Sequence, residues 1–156
     1  MIKFSSIKKE SNQVYNSINR TFEVDKNDIC QLINIAKENL SGKVRLCSHI
    51  NKDEAVHEMF IVHPKGTYVR PHKHINKVRN TNETQEAWIV LRGKIEGEFF
   101  DLDDKSIFKC ELCFGDCIVV YRGGQRLKVL EDNTIFYEFK NGPYFGAHED
   151  KIDIVI

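Results

Sequence analysis

Two histidines stand one residue apart in GTYVRPHKHINKVRNTNETQEAWIVLRG, residues 66–93, and a carboxylate, Glu86, follows the second after eleven residues. In a β-strand alternate side chains share a face, so His72 and His74 at i and i+2 would aim their imidazoles at one point. A metal needs that convergence. Imidazole suits zinc, iron, nickel and manganese, and a carboxylate from a neighbouring strand would complete a two-histidine, one-carboxylate set. The same pair also reads as a solvated strand end, and the spacing alone leaves both readings open. Glu86 opens the apolar run AWIVLR, which ends at a turn at Gly93; Glu83, in the polar connection NKVRNTNETQ, is the competing carboxylate.

The same alternation places Tyr68 and Arg70 on the histidine face, where Arg70 would hold an anionic group of a substrate, or stand exposed at the strand end. Trp88 shares a face with Glu86 and reads either as a platform for a sugar ring or as core. Lys77 and Arg79 would close over the pocket and contact phosphate, or remain solvated. His49 and His57 fall on strand-like segments and could face the cavity, whereas His63 and His148 have no partner the sequence names. Cys110-x-x-Cys113 has no second CxxC to complete a zinc knuckle. The five cysteines make an odd count with no disulfide-framework spacing, which predicts reduced thiols.

These side chains need elements to hold them. Residues 1–24 are polar and mixed and read as an N-terminal arm with a strand near 14–24. In DKNDICQLINIAKENLSGK, Ile29, Leu32, Ile33, Ala36 and Leu40 recur at helical spacing, with Asp25 or Asp28 as N-cap and Gly42 as the stop; this predicts a helix over about 26–40. From Lys43 onward the chain changes to short β-branched and aromatic runs: 44–50, 56–62, 66–74, 86–93, 94–101, 106–112, 116–121, 126–130 and 134–140. Glycine and aspartate turn signals separate them, which predicts an antiparallel sandwich or barrel. At 156 residues the whole fits one domain, residues 25–156 following the arm.

Charge and hydropathy narrow the function classes. The 23 basic and 23 acidic side chains cancel and are interleaved, so no nucleic-acid partner is indicated. No apolar run reaches signal-peptide or membrane-span length, which predicts a cytoplasmic protein without membrane insertion.

Gly66, His72-x-His74, Glu86 and Gly93 together resemble the first motif of the cupin superfamily, G-x5-H-x-H-x3-4-E-x6-G. Both outer spacings match, and the long gap between His74 and Glu86 reads as an inserted loop over 75–85. The stretches RLCSHINKDEAVHEMFIVHPKGTYVRPHKH, FFDLDDKS and EFKNGPY are similar to the WbuC family of cupin-fold proteins, found among genes for bacterial O-antigen and other surface polysaccharides.

The resemblance implies a cupin-type antiparallel β-barrel (jelly roll) with an N-terminal helix, and a homodimer. It also implies a divalent metal (zinc, iron, nickel or manganese) on His72, His74 and Glu86, with no organic cofactor. The second cupin motif normally supplies another histidine. Here GDCIVVYRGGQRLKVLEDN has none; likeness to the WbuC family puts Gln125 where that histidine is expected, and literal spacing from Gly115 would select Arg126. Strand alternation groups Gln125 with Leu127 and Val129, which predicts that it points into the barrel as a weaker ligand or a substrate contact.

The function this implies is small-molecule binding linked to surface-polysaccharide or nucleotide-sugar metabolism. The chemistry would be isomerase- or epimerase-like, either metal-assisted or metal-free with His72 or His74 as base and Glu86 orienting it. A non-catalytic metabolite-sensing module and a metal-dependent dioxygenase are the alternatives.

Overall fold

A computed structural model describes residues 7–19, 21–75 and 84–155. Lys77, Arg79 and Glu83, and most of the expected inserted loop, lie outside the described residues.

The expected helix forms as α1 (Lys26–Glu38). Asp25 is its N-cap: its Oδ1 accepts from the backbone N–H of Asn27 (2.7 Å) and Asp28 (2.9 Å). The Asp28 side chain in turn accepts from the Asp25 N–H at 3.1 Å, closing a capping box. The stop comes before Gly42, at Asn39, whose side-chain amide donates to Asn12 O at 2.7 Å and Lys43 O at 3.0 Å. Leu32, Ile33 and Ala36 bury the apolar stripe, while Leu40, counted on that stripe from spacing, lies past the last helical turn and is fully exposed.

Each expected strand run after Lys43 forms. They are β3 (Val44–Cys47), β4 (Val56–His63), β5 (Tyr68–His74), β6 (Glu86–Arg92), β7 (Ile95–Phe100), β8 (Ser106–Leu112), β9 (Cys117–Val120), β10 (Gly124–Val129) and β11 (Thr134–Asn141). The arm contributes β1 (Ile7–Lys9) and β2 (Val14–Ser17), and the tail a short helix α2 (Ala147–Asp150) and β12 (Lys151–Asp153). One sheet runs β1-β2-β3-β4-β11-β6-β9 and the other β12-β5-β10-β7-β8.

Neighbouring strands pair antiparallel except β2 and β3, which are parallel. The exception follows from connectivity: α1 joins them as a crossover, which returns the chain in its original direction. The two sheets face each other across a core of Trp88, Val90, Ile95, Phe99, Leu127 and Phe136, among others. A second core lies outside the seven-stranded sheet, where Leu32, Ile33 and Ala36 of α1 pack on Val44, Val62 and Ile135. The helix therefore braces the back of the sheet whose inner face carries half of the site.

Candidate functional site

The inner face of the seven-stranded sheet can be read row by row from its register. His57, Lys140 and Glu86 form one row across β4, β11 and β6; Met59, Glu138 and Trp88 form the next; Ile61, Phe136 and Val90 close the end. From the opposite sheet β5 contributes Val69, His72 and His74, and β10 contributes Leu127. Between them lies a cavity of about 560 Å³, a size usual for small-molecule sites.

His72 and His74 converge as the spacing predicts, with ring centroids 5.2 Å apart. Tyr68 and Arg70 do not join them. Leu127 pairs with Val69 and Gln125 with His72, so one residue of β10 stands opposite two of β5, Arg70 and Pro71. That extra residue is a β-bulge, and Pro71, with no N–H to give a ladder, fits there. The bulge inverts the alternation. Val69 shares the cavity with the histidines, whereas Tyr68 is exposed and Arg70 pairs with Asp153 at 3.3 Å on the outer surface.

His74 is held from both sides. Its Nε2 lies 2.8 Å from Glu86 Oε2 and its Nδ1 2.8 Å from Asp150 Oδ2. Lys140 Nζ reaches the same Asp150 oxygen at 3.1 Å, and Trp88 Nε1–H donates to Glu86 Oε1 at 2.6 Å. Burial disfavours a charged His74, but the bonds from Asp150 and Glu86 outweigh it and raise its pKa to about 9. The imidazole is therefore a cation at neutral pH. Burial likewise pushes the Asp150 and Glu86 pKa values upward, and the His74 contact overcomes this to leave both carboxyls below their ordinary range.

His72 differs. Its Nδ1 lies 2.8 Å from the Arg70 carbonyl, so Nδ1 carries the proton, and Nε2 makes no hydrogen bond among the described residues. Burial lowers its pKa, which favours the neutral ring with Nε2 unprotonated. Gln125 is buried and points inward, cross-strand from His72, yet it does not line the cavity, and its side-chain nitrogen has no partner among the described residues. Trp88 proves to be both core and cavity wall.

The metal implied by the resemblance can be tested on these donors. His74 gives both ring nitrogens to carboxylates, Glu86 gives both oxygens to His74 and Trp88, and Gln125 is outside the cavity. Among the described residues, no three His, Cys, Asp or Glu side chains form a metal-ligating group. In this arrangement the donor set does not fit a metal, because the donors face one another and a hydrogen bond joins His74 to Glu86.

Three groups escaped the sequence reading. Asp150 arrives from α2, where a cap over residues 142–146 returns the chain to the site. Its anchors are Gly142 N–H to Ala55 O and Tyr144 N–H to Lys52 O, both 2.8 Å. Gly142 is required there, because a Cβ would meet the His57 ring at 2.6 Å. No local signal marks Asp150, which is 76 residues from His74.

Lys140 and Glu138 were visible as charges in an apolar strand, and their alternation with Phe136 was the available signal. Burial first, then repulsion from Glu86, pushes the Glu138 pKa up to about 7. His49 and His57 do face the cavity, stacked with centroids 4.1 Å apart, and His63 lines it as well.

A family model described as a domain of unknown function, DUF6016, matches residues 24–112, more than half of the chain. The chain belongs to DUF6016. No curated protein matches this DUF6016 chain. Among solved structures it is similar to oxalate decarboxylase from Bacillus subtilis at pH 4.6, with 16% identity over 65% of this chain and 24% of that one, and a TM-score of 0.52.

A tryptophan-to-phenylalanine variant of that enzyme matches with 16% identity, 64% and 24% coverage, and a TM-score of 0.51. An arginine-to-alanine variant matches with 16% identity, 65% and 24% coverage, and the same TM-score, 0.51. The chain thus spans about a quarter of the length of the structures it matches. At that identity the likeness is one of fold. Oxalate decarboxylase is a cupin-fold protein, and this DUF6016 chain has the cupin-type jelly roll that its motif implied. Among the described residues no helix is long and apolar enough to cross a membrane.

Proposed function

We propose that the barrel binds a small polar metabolite and moves a proton on it, with His72 as the base. One observation carries this: of the two motif histidines, only His72 keeps an unclaimed basic nitrogen in the cavity. His74 cannot serve as base, since both its nitrogens are engaged and it already holds its proton. With Lys140 it instead provides fixed positive charge beside the ligand, which stabilises negative charge developing on a ligand oxygen as a proton leaves the adjacent carbon. Glu86 and Asp150 keep the imidazolium oriented. The reaction class is proton abstraction next to a carbonyl, the first half of an isomerisation or epimerisation.

The finer part of the proposal rests on the WbuC resemblance: the metabolite is a sugar or nucleotide-sugar of surface-polysaccharide metabolism, and the protein assembles as a homodimer. The apolar floor at Trp88 and Leu127 beneath a charged row suits such a ring bearing hydroxyls.

The test is solvent deuterium exchange by NMR. Keto-sugars and nucleotide-sugars incubated with the protein in D2O gain deuterium next to the carbonyl, and His72→Gln abolishes the gain. Added zinc, iron, nickel or manganese leaves it unchanged. Exchange that persists in His72→Gln overturns the role of His72. Binding without exchange makes the barrel a metabolite-sensing module.

A further inference from the structure

The cavity contains a carboxyl that the His72 chemistry does not use. Glu138 sits mid-strand in β11, with Met59 opposite it on β4 and Trp88 opposite it on β6, and it lines the cavity. Directly opposed side chains in an antiparallel sheet touch, so its flanks are a thioether and an indole. Neither accompanies a carboxylate well. The indole N–H is already given to Glu86.

One row away the polar groups satisfy each other: Lys140 bonds Asp150, and His74 bonds Glu86 and Asp150. Glu138 stands apart from that set, with no hydrogen bond or ion pair to any described residue. The cations that attract it act across space only.

A half-buried carboxyl that lines a cavity and finds no donor among the described residues is left to water, or to a ligand that supplies the donor. We propose that Glu138 is the recognition carboxyl of the cavity, taking a hydrogen-bond donor of the ligand, a hydroxyl or an ammonium, while the apolar body of that ligand covers Trp88 and Met59. This deepens the proton-transfer reading and rests on it for the presence of a ligand. It adds a second contact point and a preference: donors over acceptors. Above pH 7, where Glu138 is ionised, a ligand presenting only a carboxylate to this row would meet it as a like charge.

Two measurements on the full chain test it. The first is melting without ligand. Glu138→Gln and Glu138→Met remove an unsatisfied charge from an apolar row, and each is expected to raise the melting temperature by about 2–4 °C. An unchanged or lower melting temperature in Glu138→Met means that Glu138 braces the charged row, and overturns the assignment.

The second uses Trp88, the only tryptophan of the chain, as a fluorescent reporter beside Glu138. Cyclohexylamine, cyclohexanol and cyclohexanecarboxylate share one apolar body and differ in the polar group. Above pH 7 the amine and the alcohol bind the parent about tenfold or more tighter than the carboxylate, and Glu138→Met erases the difference. The ratio of amine to alcohol tells which donor the site prefers. Equal binding of all three, or no Trp88 response to any, overturns the donor assignment. His72→Gln separates the two readings. Loss of deuterium exchange there, with the donor preference intact, supports both. Exchange that needs His72, beside a preference unaffected by Glu138→Met, sinks only the recognition role.

Discussion

In the row of His57, Lys140 and Glu86, joined by His74 and Asp150, the charges close on one another: two carboxylates clamp one imidazolium and a lysine completes the set. One row along the same strands Glu138 has no partner among the described residues, and across the cavity none of them takes His72 Nε2. The two regions border one cavity and differ in satisfaction. Paired buried charges resist change because each one lost leaves the other stranded, whereas unpaired groups can be altered at little cost to the fold. The closed row should therefore govern stability, and the open groups ligand chemistry.

The largest expected effect comes from breaking the closed row. Asp150→Ala leaves His74 and Lys140 as buried cations without their shared carboxylate, a loss of about 3–5 kcal/mol and a fall in melting temperature of about 10 °C. Urea denaturation measures it. A change below about 1 kcal/mol would mean that the cluster is solvated and that His74 is not held charged.

Acid and base should reach the two regions separately. Burial holds His57 and His63 neutral in the fold, their pKa values lowered to about 4, while the unfolded chain takes up protons near the ordinary 6.5. The unfolded state then binds more protons as pH falls from 6.5 to 4, so stability falls over that window. His74 has the opposite sign. Raised to about 9, it contributes stability fully present below 6.5 and lost as pH rises through 9. Glu138, raised to about 7, favours the fold only at the acid end, and its contribution fades between 4.5 and 7. Melting temperature against pH should peak near 6.5 and fall on both sides. A profile flat from 6.5 to 10 would contradict the clamp on His74.

How much of this was readable in the sequence depends on distance along the chain. The strands after Lys43 and the helix were legible because their apolar periods are local, and Asp25 announces its cap within three residues. His72, His74 and Glu86 were legible as a spaced motif. The partners of His74 were not, since Asp150 is brought in by a cap and a short helix after β11, and nothing near Asp150 marks it. The reversal of Tyr68 and Arg70 was hidden for another reason. Alternation counts residues, and a bulge adds one without changing composition; Pro71 was the single local hint.

The smallest expected effect tests that bulge. If β5 alternated regularly, Arg70 would face the cavity beside His72, and Arg70→Ala would remove a ligand contact and lower affinity for anions. In the bulged strand its guanidinium meets, among the described residues, only Asp153, with both side chains substantially in solvent. Exposed ion pairs of this kind contribute about 0–1 kcal/mol. Arg70→Ala should therefore shift stability by no more than that and leave the Trp88 response to cyclohexanol and cyclohexylamine unchanged. Deleting the extra residue would realign the ladder but turn either the histidines or Val69 outward, since a shift of one residue moves a strand's side chains to the other face. The bulge is thus what lets one short strand present Val69 to the apolar floor and His72 and His74 to the charged row.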